Sequence, residues 1–410
     1  MTDLELRPID RTELPAFWRT LAEVFGEDPD DRDREAMAPT FEPGRSLAAF
    51  DDGDVVATAG IYSRDLTVPG GPRPAAAVTF VGVQPTHRRR GLLTSVMRRQ
   101  LTGLHEDRLE PVAVLWASEG GIYGRFGYGV AARQLAWEGT KSRLRLRPGV
   151  STGTGRVVLT AAEKARPFEE AVYEALRPST AGFLSRPGAW GDRLAADPAH
   201  VRAGASARRH ALHTEQDGSV TGFATYRTKQ DGSPRRNESE LQVHDVFATT
   251  PEAYAALWAY LFGIDLVPRL TRRRAPLDDP LPQLVTDFRA LEAWLYDSLW
   301  VRLADVGRAL AARTYTQPVD VVLDVRDEFC PWNAGRWRLS GDSTGAVCEP
   351  TGDAADLALS STELGAVYLG GPTLAALGAA GLVTESTPGA LVAAGRAFAG
   401  DRQPWSPEVF

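Results

Sequence analysis

Short apolar runs alternate with segments whose apolar residues recur at helical spacing, from the first residues to near the last. Leu4–Pro8 reads as a strand and Glu13–Phe25 as an amphipathic helix. Ser46–Phe50 and Val55–Arg64 flank Asp51-Asp52-Gly53-Asp54, a hairpin with suitable turn residues. Asp65–Pro74, rich in Gly and Pro, reads as a loop. Thr79–Val83 is β-branched and apolar, a buried strand that Pro85 stops. Leu93, Met97, Leu101 and Leu104 then make one apolar helical stripe, and Val130–Trp137 returns as a strand. Residues 147–155 (RPGVSTGTG) have a linker's composition and set a first boundary.

The next segment repeats that outline. Val157–Thr160 leads to a helix over Pro167–Leu176, and Asp217-Gly218-Ser219 is the matching hairpin turn. Leu241–Phe247 takes the place of Thr79–Val83, with Thr250 as helix N-cap and Pro251 at the first helical position. Here the loop has neither glycine nor a basic run. Pro268–Gln283, dense in proline and charge, forms the second boundary. Phe288–Ala312 reads as an aromatic helix, followed by strands at Val319–Val325, Arg336–Ser340 and Ala346–Glu349 and helices within 362–380. The pattern gives three units, 1–153, 154–286 and 287–410, the last an antiparallel α+β domain. The terminal position of 403–410 predicts a frayed tail on the residues alone, while Pro404 and Pro407 would stiffen it.

Composition narrows the class. The chain has 410 residues with 46 basic and 53 acidic side chains, a net charge of −7 that argues against a nucleic-acid binder. No apolar run reaches membrane-span length and the N-terminus lacks a signal-peptide core, so a cytoplasmic protein without membrane insertion is expected. Cys330 and Cys348 are too few for a disulfide framework, and the six histidines form no zinc pattern with them, so no metal is expected.

The chemistry concentrates between Val78 and Gly129. There a strand delivers the loop His87-Arg88-Arg89-Arg90-Gly91 onto a helix N-terminus. Free first-turn N–H groups, a glycine allowing close approach and arginine charge suit a phosphate. Gln84-x-x-His87-Arg-Arg-Arg-Gly91-Leu92 resembles the acetyl-CoA pyrophosphate loop of the GNAT (Gcn5-related N-acetyltransferase) superfamily. Ile122-Tyr123-Gly-Arg-Phe-Gly127-Tyr128 resembles its later motif, where a tyrosine faces the thioester sulfur. The pairing of THRRRGLL with ASEGGIYGRFGYG is similar to the Eis (enhanced intracellular survival) family, whose members join two GNAT-like domains to a sterol-carrier-protein-like domain.

The resemblance implies an α+β fold with a degenerate second GNAT-like domain. It also implies an acetyl-CoA-dependent N-acetyltransferase acting on a small, polycationic, aminoglycoside-like amine, with a hexameric homo-oligomer as the assembly. Acetyl-CoA would be held by Phe80, Val81, Gly82, Val83, Arg88, Arg89, Arg90, Gly91, Leu92, Leu93, Thr94, Ser118 and Glu119. Tyr123 would protonate the leaving thiolate, phenol (about 10) and thiol (about 8.5) being close in pKa. The carboxylate of Phe410 would accept the amine's proton, aided by burial or a relay water, since its reference pKa is about 3.3–3.7. Glu27, in the acidic stretch 26–35, would border the substrate; the same acids also suit a solvated helix start. Val409 stands where the family's aminoglycoside recognition calls for an acid. Acetylation of protein lysines or N-termini, and a non-catalytic CoA or lipid sensor, are the alternative readings. In the third unit core packing explains the apolar strands without a lipid.

Overall fold

The computed structural model describes residues 4–231 and 237–410. The first pattern of strands and helices yields β1 (Glu5–Pro8), α1 (Leu14–Phe25), α2 (Asp31–Met37), β2 (Leu47–Asp51), β3 (Asp54–Val68), β4 (Gly71–Val83), α3 (Leu92–Asp107), β5 (Val112–Trp116) and β6 (Gly129–Val130). The repeat yields β7 (Arg133–Thr140), β8 (Arg156–Thr160), α4 (Ala162–Leu176), α5 (Trp190–Ala195), β9 (Arg209–Thr214), β10 (Val220–Lys229), β11 (Glu240–Ala248), α6 (Pro251–Phe262), β12 (Arg269–Ala275), α7 (Leu281–Leu284) and β13 (Leu291–Asp297). After β14 (Leu299–Leu303) come α8 (Val306–Ala311), β15 (Val319–Arg326), β16 (Gly335–Gly341), β17 (Ala346–Pro350), β18 (Leu357–Ser360), α9 (Ser361–Val367), α10 (Leu374–Ala379), β19 (Thr384–Glu385) and α11 (Ala390–Phe398).

Among the described residues three sheets result, in the orders β1-β2-β3-β4-β5-β14-β6, β13-β7-β12-β11-β10-β9-β8 and β17-β16-β15-β18-β19. Their memberships cross the sequence boundaries near 153 and 286. Strand β7 lies in the second sheet, and β14 lies in the first, antiparallel to both β5 and β6. Helix α9 then packs against β14 and β6. The contact is close enough that a Cβ on Gly129 would lie 2.0 Å from the Thr362 carbonyl oxygen, so only glycine fits there. One apolar core accordingly runs from Phe17 and Phe80 through Val301 into Leu323, Leu359 and Phe398.

Three expectations are corrected. Residues 288–312 form a short 3-10 turn, two strands and a brief helix, not one long helix. An apolar aromatic run carries no period that separates a buried strand from a helix, and LWVRL in β14 is buried throughout. Residues 65–74 are not a loop: β3 and β4 continue through them to a turn at Pro69-Gly70. That hairpin extension is held by the second unit, with the Thr67 amide donating to the Phe183 carbonyl at 2.8 Å. The charged stretch 268–283 contains an interior strand, β12. Its Arg272 is buried and ion-paired with Asp279, so the charge there is not solvated. No helix among the described residues is long and apolar enough to cross a membrane.

Candidate active site

Strands β4 and β5 run parallel and pair only where Ala75–Ala77 meet Val112–Val114. Beyond that point they part, and the rest of β4 borders open space on that side. On its other side, Phe80 and Val81 together face the single residue Ala59 of β3, a β-bulge. Phe80 pays for the bulge with a φ of +58°, a backbone strain of about 1–3 kcal/mol for a non-glycine residue. The Thr58 hydroxyl donates to the Phe80 carbonyl at 2.7 Å, and edge contacts with Phe17, Trp18 and Tyr62 fix the ring.

On one side of the bulge lies a cleft of about 560 Å³. It gathers most of the residues expected around acetyl-CoA: Val81, Gly82, Val83, Arg88, Arg89, Gly91, Leu92, Leu93, Thr94, Ser118, Glu119 and Tyr123. Arg90 is exposed outside it, and Phe80 lies across the bulge. Gly91 is the N-cap of α3 at φ +83°, and no side chain caps that end, so the first-turn amides remain available to an anion. Arg89, at φ +63°, turns the loop just before it, and His87 Nε2 sits 2.9 Å from Asp51 Oδ2, fastening the loop to the neighbouring hairpin. These features fit a pyrophosphate.

Tyr123 forms part of the cleft wall and is buried. Burial first, and the Glu119 carboxylate second, push its phenol up to about 12. Against a thiol at its solution value the proton would then move uphill. The same desolvation raises thiols, however, and buried Cys348 is likewise pushed up to about 12.

On the other side of the bulge a second cleft of about 500 Å³ is lined by Thr79, Phe80, Trp18, Phe25, Glu27 and the terminal Phe410. Phe25 belongs to both clefts. Five acidic side chains line this one (Glu27, Asp28, Asp30, Asp31 and Asp33) against the guanidiniums of Arg19, Arg34 and Arg193. Asp30 is held by Arg32, Asp31 by Arg34 and Asp33 by His200. Glu27 and Asp28, exposed just past the Gly26 cap of α1, have no ion pair among the described residues.

The tail is not frayed. Its composition suits disorder in isolation, but here Pro404 to Glu408 and Phe410 are buried against the rest of the chain. Trp405 packs on Phe183 and Phe247, and its amide donates to the Ala181 carbonyl at 2.9 Å. Glu408, 4% exposed, is gripped by Arg64 of β3 and by Arg186 of the second unit, the latter at 2.9 Å. Phe410 is buried, and the Thr79 hydroxyl donates to its terminal oxygen at 3.0 Å. Glu408 thus offers no free charge to a substrate.

Sequence reasoning missed Thr79, Phe25, Arg125 and Arg193. Arg125 sits inside the quoted glycine-tyrosine motif and could have been found there. Arg193 reaches the first unit from α5, donating to the Tyr62 hydroxyl at 2.7 Å, and nothing local marks it.

Residues 5–131 match an acetyltransferase (GNAT) domain model, 182–303 a second acetyltransferase (GNAT) domain model, and 306–407 a sterol carrier protein domain model. An uncharacterized N-acetyltransferase of Streptomyces avermitilis is 45% identical over 410 residues, covering 99% of each chain. N-acetyltransferase Eis of Mycobacterium tuberculosis is 37% identical over 356 residues, 85% of this chain and 84% of its own. The crystal structure of Eis1 from Mycobacterium abscessus superposes with a TM-score of 0.84 at 35% identity, covering 99% of this chain and all of that one.

Proposed function

Because the chain belongs to the Eis family of GNAT N-acetyltransferases, we propose that it moves acetyl from acetyl-CoA to amines of a small polycationic substrate of the aminoglycoside kind. Acetyl-CoA supplies the activated acetyl group as a thioester. The loop from Arg88 to Gly91 and the first turn of α3 hold its pyrophosphate. The backbone from Phe80 to Val83 donates to the acetyl oxygen as negative charge develops there, a preorganised contact of the kind worth about 2.7–4 kcal/mol. Glu27 and Asp28 attract the cationic acceptor, the Phe410 carboxylate takes a proton from the attacking amine, and Tyr123 delivers one to the departing sulfur.

One observation carries this reading: the two clefts meet at the β4 bulge, one rimmed by arginines and uncapped amides, the other by carboxylates and the chain terminus. An amine in the second can therefore face a thioester in the first. The reading includes a cytoplasmic enzyme and a hexameric homo-oligomer. Edge strand β13 supports an assembly, since it exposes Trp294 and Tyr296 on one face and Leu295 on the other.

A thiol-release assay across mono- and multi-amines tests it. Multi-amine compounds are expected to turn over fastest, and Tyr123→Phe to lower kcat about 10²–10⁴-fold while acetyl-CoA affinity holds. The pH profile follows from the raised phenol. Its proton is retained until pH approaches about 12, so the rate should climb as the amine deprotonates and show no alkaline fall up to about pH 10. No thiol release with any amine would sink the proposal.

A further inference from the structure

The second unit keeps the opening that the first uses. Strands β11 and β12 pair in parallel only over Glu240–Val243 and Arg269–Arg272, then part, as β4 and β5 do. A cleft of about 480 Å³ lies at this opening, beside the start of α6. Its chemistry is different. Thr250 occupies a first-turn amide with its own hydroxyl, accepting from the Ala253 N–H at 3.2 Å, and Pro251 has no N–H to give. No arginine-glycine loop precedes the helix. A phosphate has no cradle here.

The charges around the cleft cancel in pairs. Arg272 is bound to Asp279, which also accepts from the Tyr254 hydroxyl at 2.6 Å, and Asp278 lies 3.5 Å from Arg402. The remaining wall is aromatic and aliphatic: Phe183, Phe247, Trp405, Leu176 and Leu284. Two donors in lining residues, Trp405 Nε1 and Arg272 Nε, are buried without an acceptor among the described residues, while their side chains are 6% and 1% exposed. Buried N–H groups left without a partner are uncommon, and because both atoms are closed to solvent here, an occupant's acceptor reaches them as the Trp405 and Arg272 side chains shift. Size, apolar walls and a few polar groups are those of a small-molecule site.

We propose that this cleft is a second ligand site for a small, neutral, aromatic molecule bearing a hydrogen-bond acceptor, and that its occupancy is felt at Phe410. The link is physical. Trp405 forms a wall of the cleft, the chain from Pro404 to Glu408 is buried throughout, and Phe410 follows five residues after Trp405. An occupant that shifts Trp405 shifts the end of a short, clamped segment. The transmission half rests on the acceptor-site reading of Phe410; the binding half does not.

Coumarin, neutral and acceptor-only, is the probe. Calorimetry on the full-length protein should show saturable one-to-one binding. Leu284→Trp and Leu176→Trp fill the cleft from different walls and should each weaken coumarin at least tenfold while acetyl-CoA affinity is unchanged. Trp405→Phe, which keeps the ring wall and removes the N–H, should weaken it severalfold. Saturating coumarin should change KM for the amine severalfold in the wild type and leave it unchanged in Leu284→Trp. Absence of saturable binding, or full-strength binding in both filled variants, overturns the site. Binding that leaves KM unmoved overturns the transmission. Because binding is read by heat, a protein that fails to acetylate amines still decides the first question.

Discussion

A chain ending at Val409 is expected to lose about 10²–10⁴-fold in kcat, with kcat/KM falling in parallel and acetyl-CoA affinity within twofold of the full chain. The deletion leaves a carboxylate on the protein but withdraws it by one residue, roughly 3.3–3.6 Å along an extended chain. That distance breaks its 3.0 Å contact with the Thr79 hydroxyl and takes it away from the β4 bulge. A positioned proton acceptor is worth a loss of this size. Equal falls in kcat and kcat/KM mark an interaction made mainly in the transition state. Phe410→Ala separates the carboxylate from the ring: it keeps the terminal group and should retain far more activity than the deletion. Steady-state rates for the three proteins, measured by thiol release, check both expectations. Equal damage from Phe410→Ala and the deletion would assign the effect to the ring's burial instead.

The second large effect is expected at Glu408, which lines neither of the two clefts. Arg64 is fully buried in side chain, and Glu408 is its ionic partner, with Arg186 joining from the second unit. Removing one member of a buried pair leaves the other uncompensated, at a cost of about 3–5 kcal/mol. The fold can escape most of that cost by releasing the tail, which admits water to Arg64. Glu408→Ala should therefore approach the activity of the Val409-terminated chain, although Phe410 is still present. Limited proteolysis is the accompanying measurement, with the released tail cut at rates the wild type does not show. Glu408→Gln, which can still accept hydrogen bonds from both arginines, should fall between. Full activity in Glu408→Ala would show that Trp405 and Phe410 alone seat the tail.

How far these features could be read from the sequence depends on how local they are. The β2–β3 turn, α3 with its uncapped glycine start, and the Thr250-Pro251 opening of α6 follow from neighbouring residues, and they fold as their residue types predict. The gathering of these residues around the first cleft was legible for the same reason, because loop, helix and tyrosine motif lie within about fifty residues of one another. Strand β14 was not. Its five buried residues suit a helix as well as a strand, and only β5 and β6, more than 150 residues earlier, decide between them. The strand at 269–275 was hidden by its arginines, since the partner that lets Arg272 enter the core lies beyond the strand's end. Glu408 shows the same limit at the site. Nothing in the neighbouring sequence marks it as an ionic anchor, because the two arginines that claim it, Arg64 and Arg186, lie more than 200 residues earlier.

Two clefts joined at one bulge have a kinetic consequence that does not depend on knowing the natural acceptor. Acetyl-CoA and amine should occupy the protein together, and acetyl should pass between them without resting on a side chain. Initial rates measured with both substrates varied are the direct test. Double-reciprocal lines that intersect, with CoA release strictly requiring the amine, are the expected result. Parallel lines, together with a stoichiometric burst of CoA from enzyme and acetyl-CoA alone, would mean an acetylated enzyme and would contradict direct transfer across the Phe80 bulge.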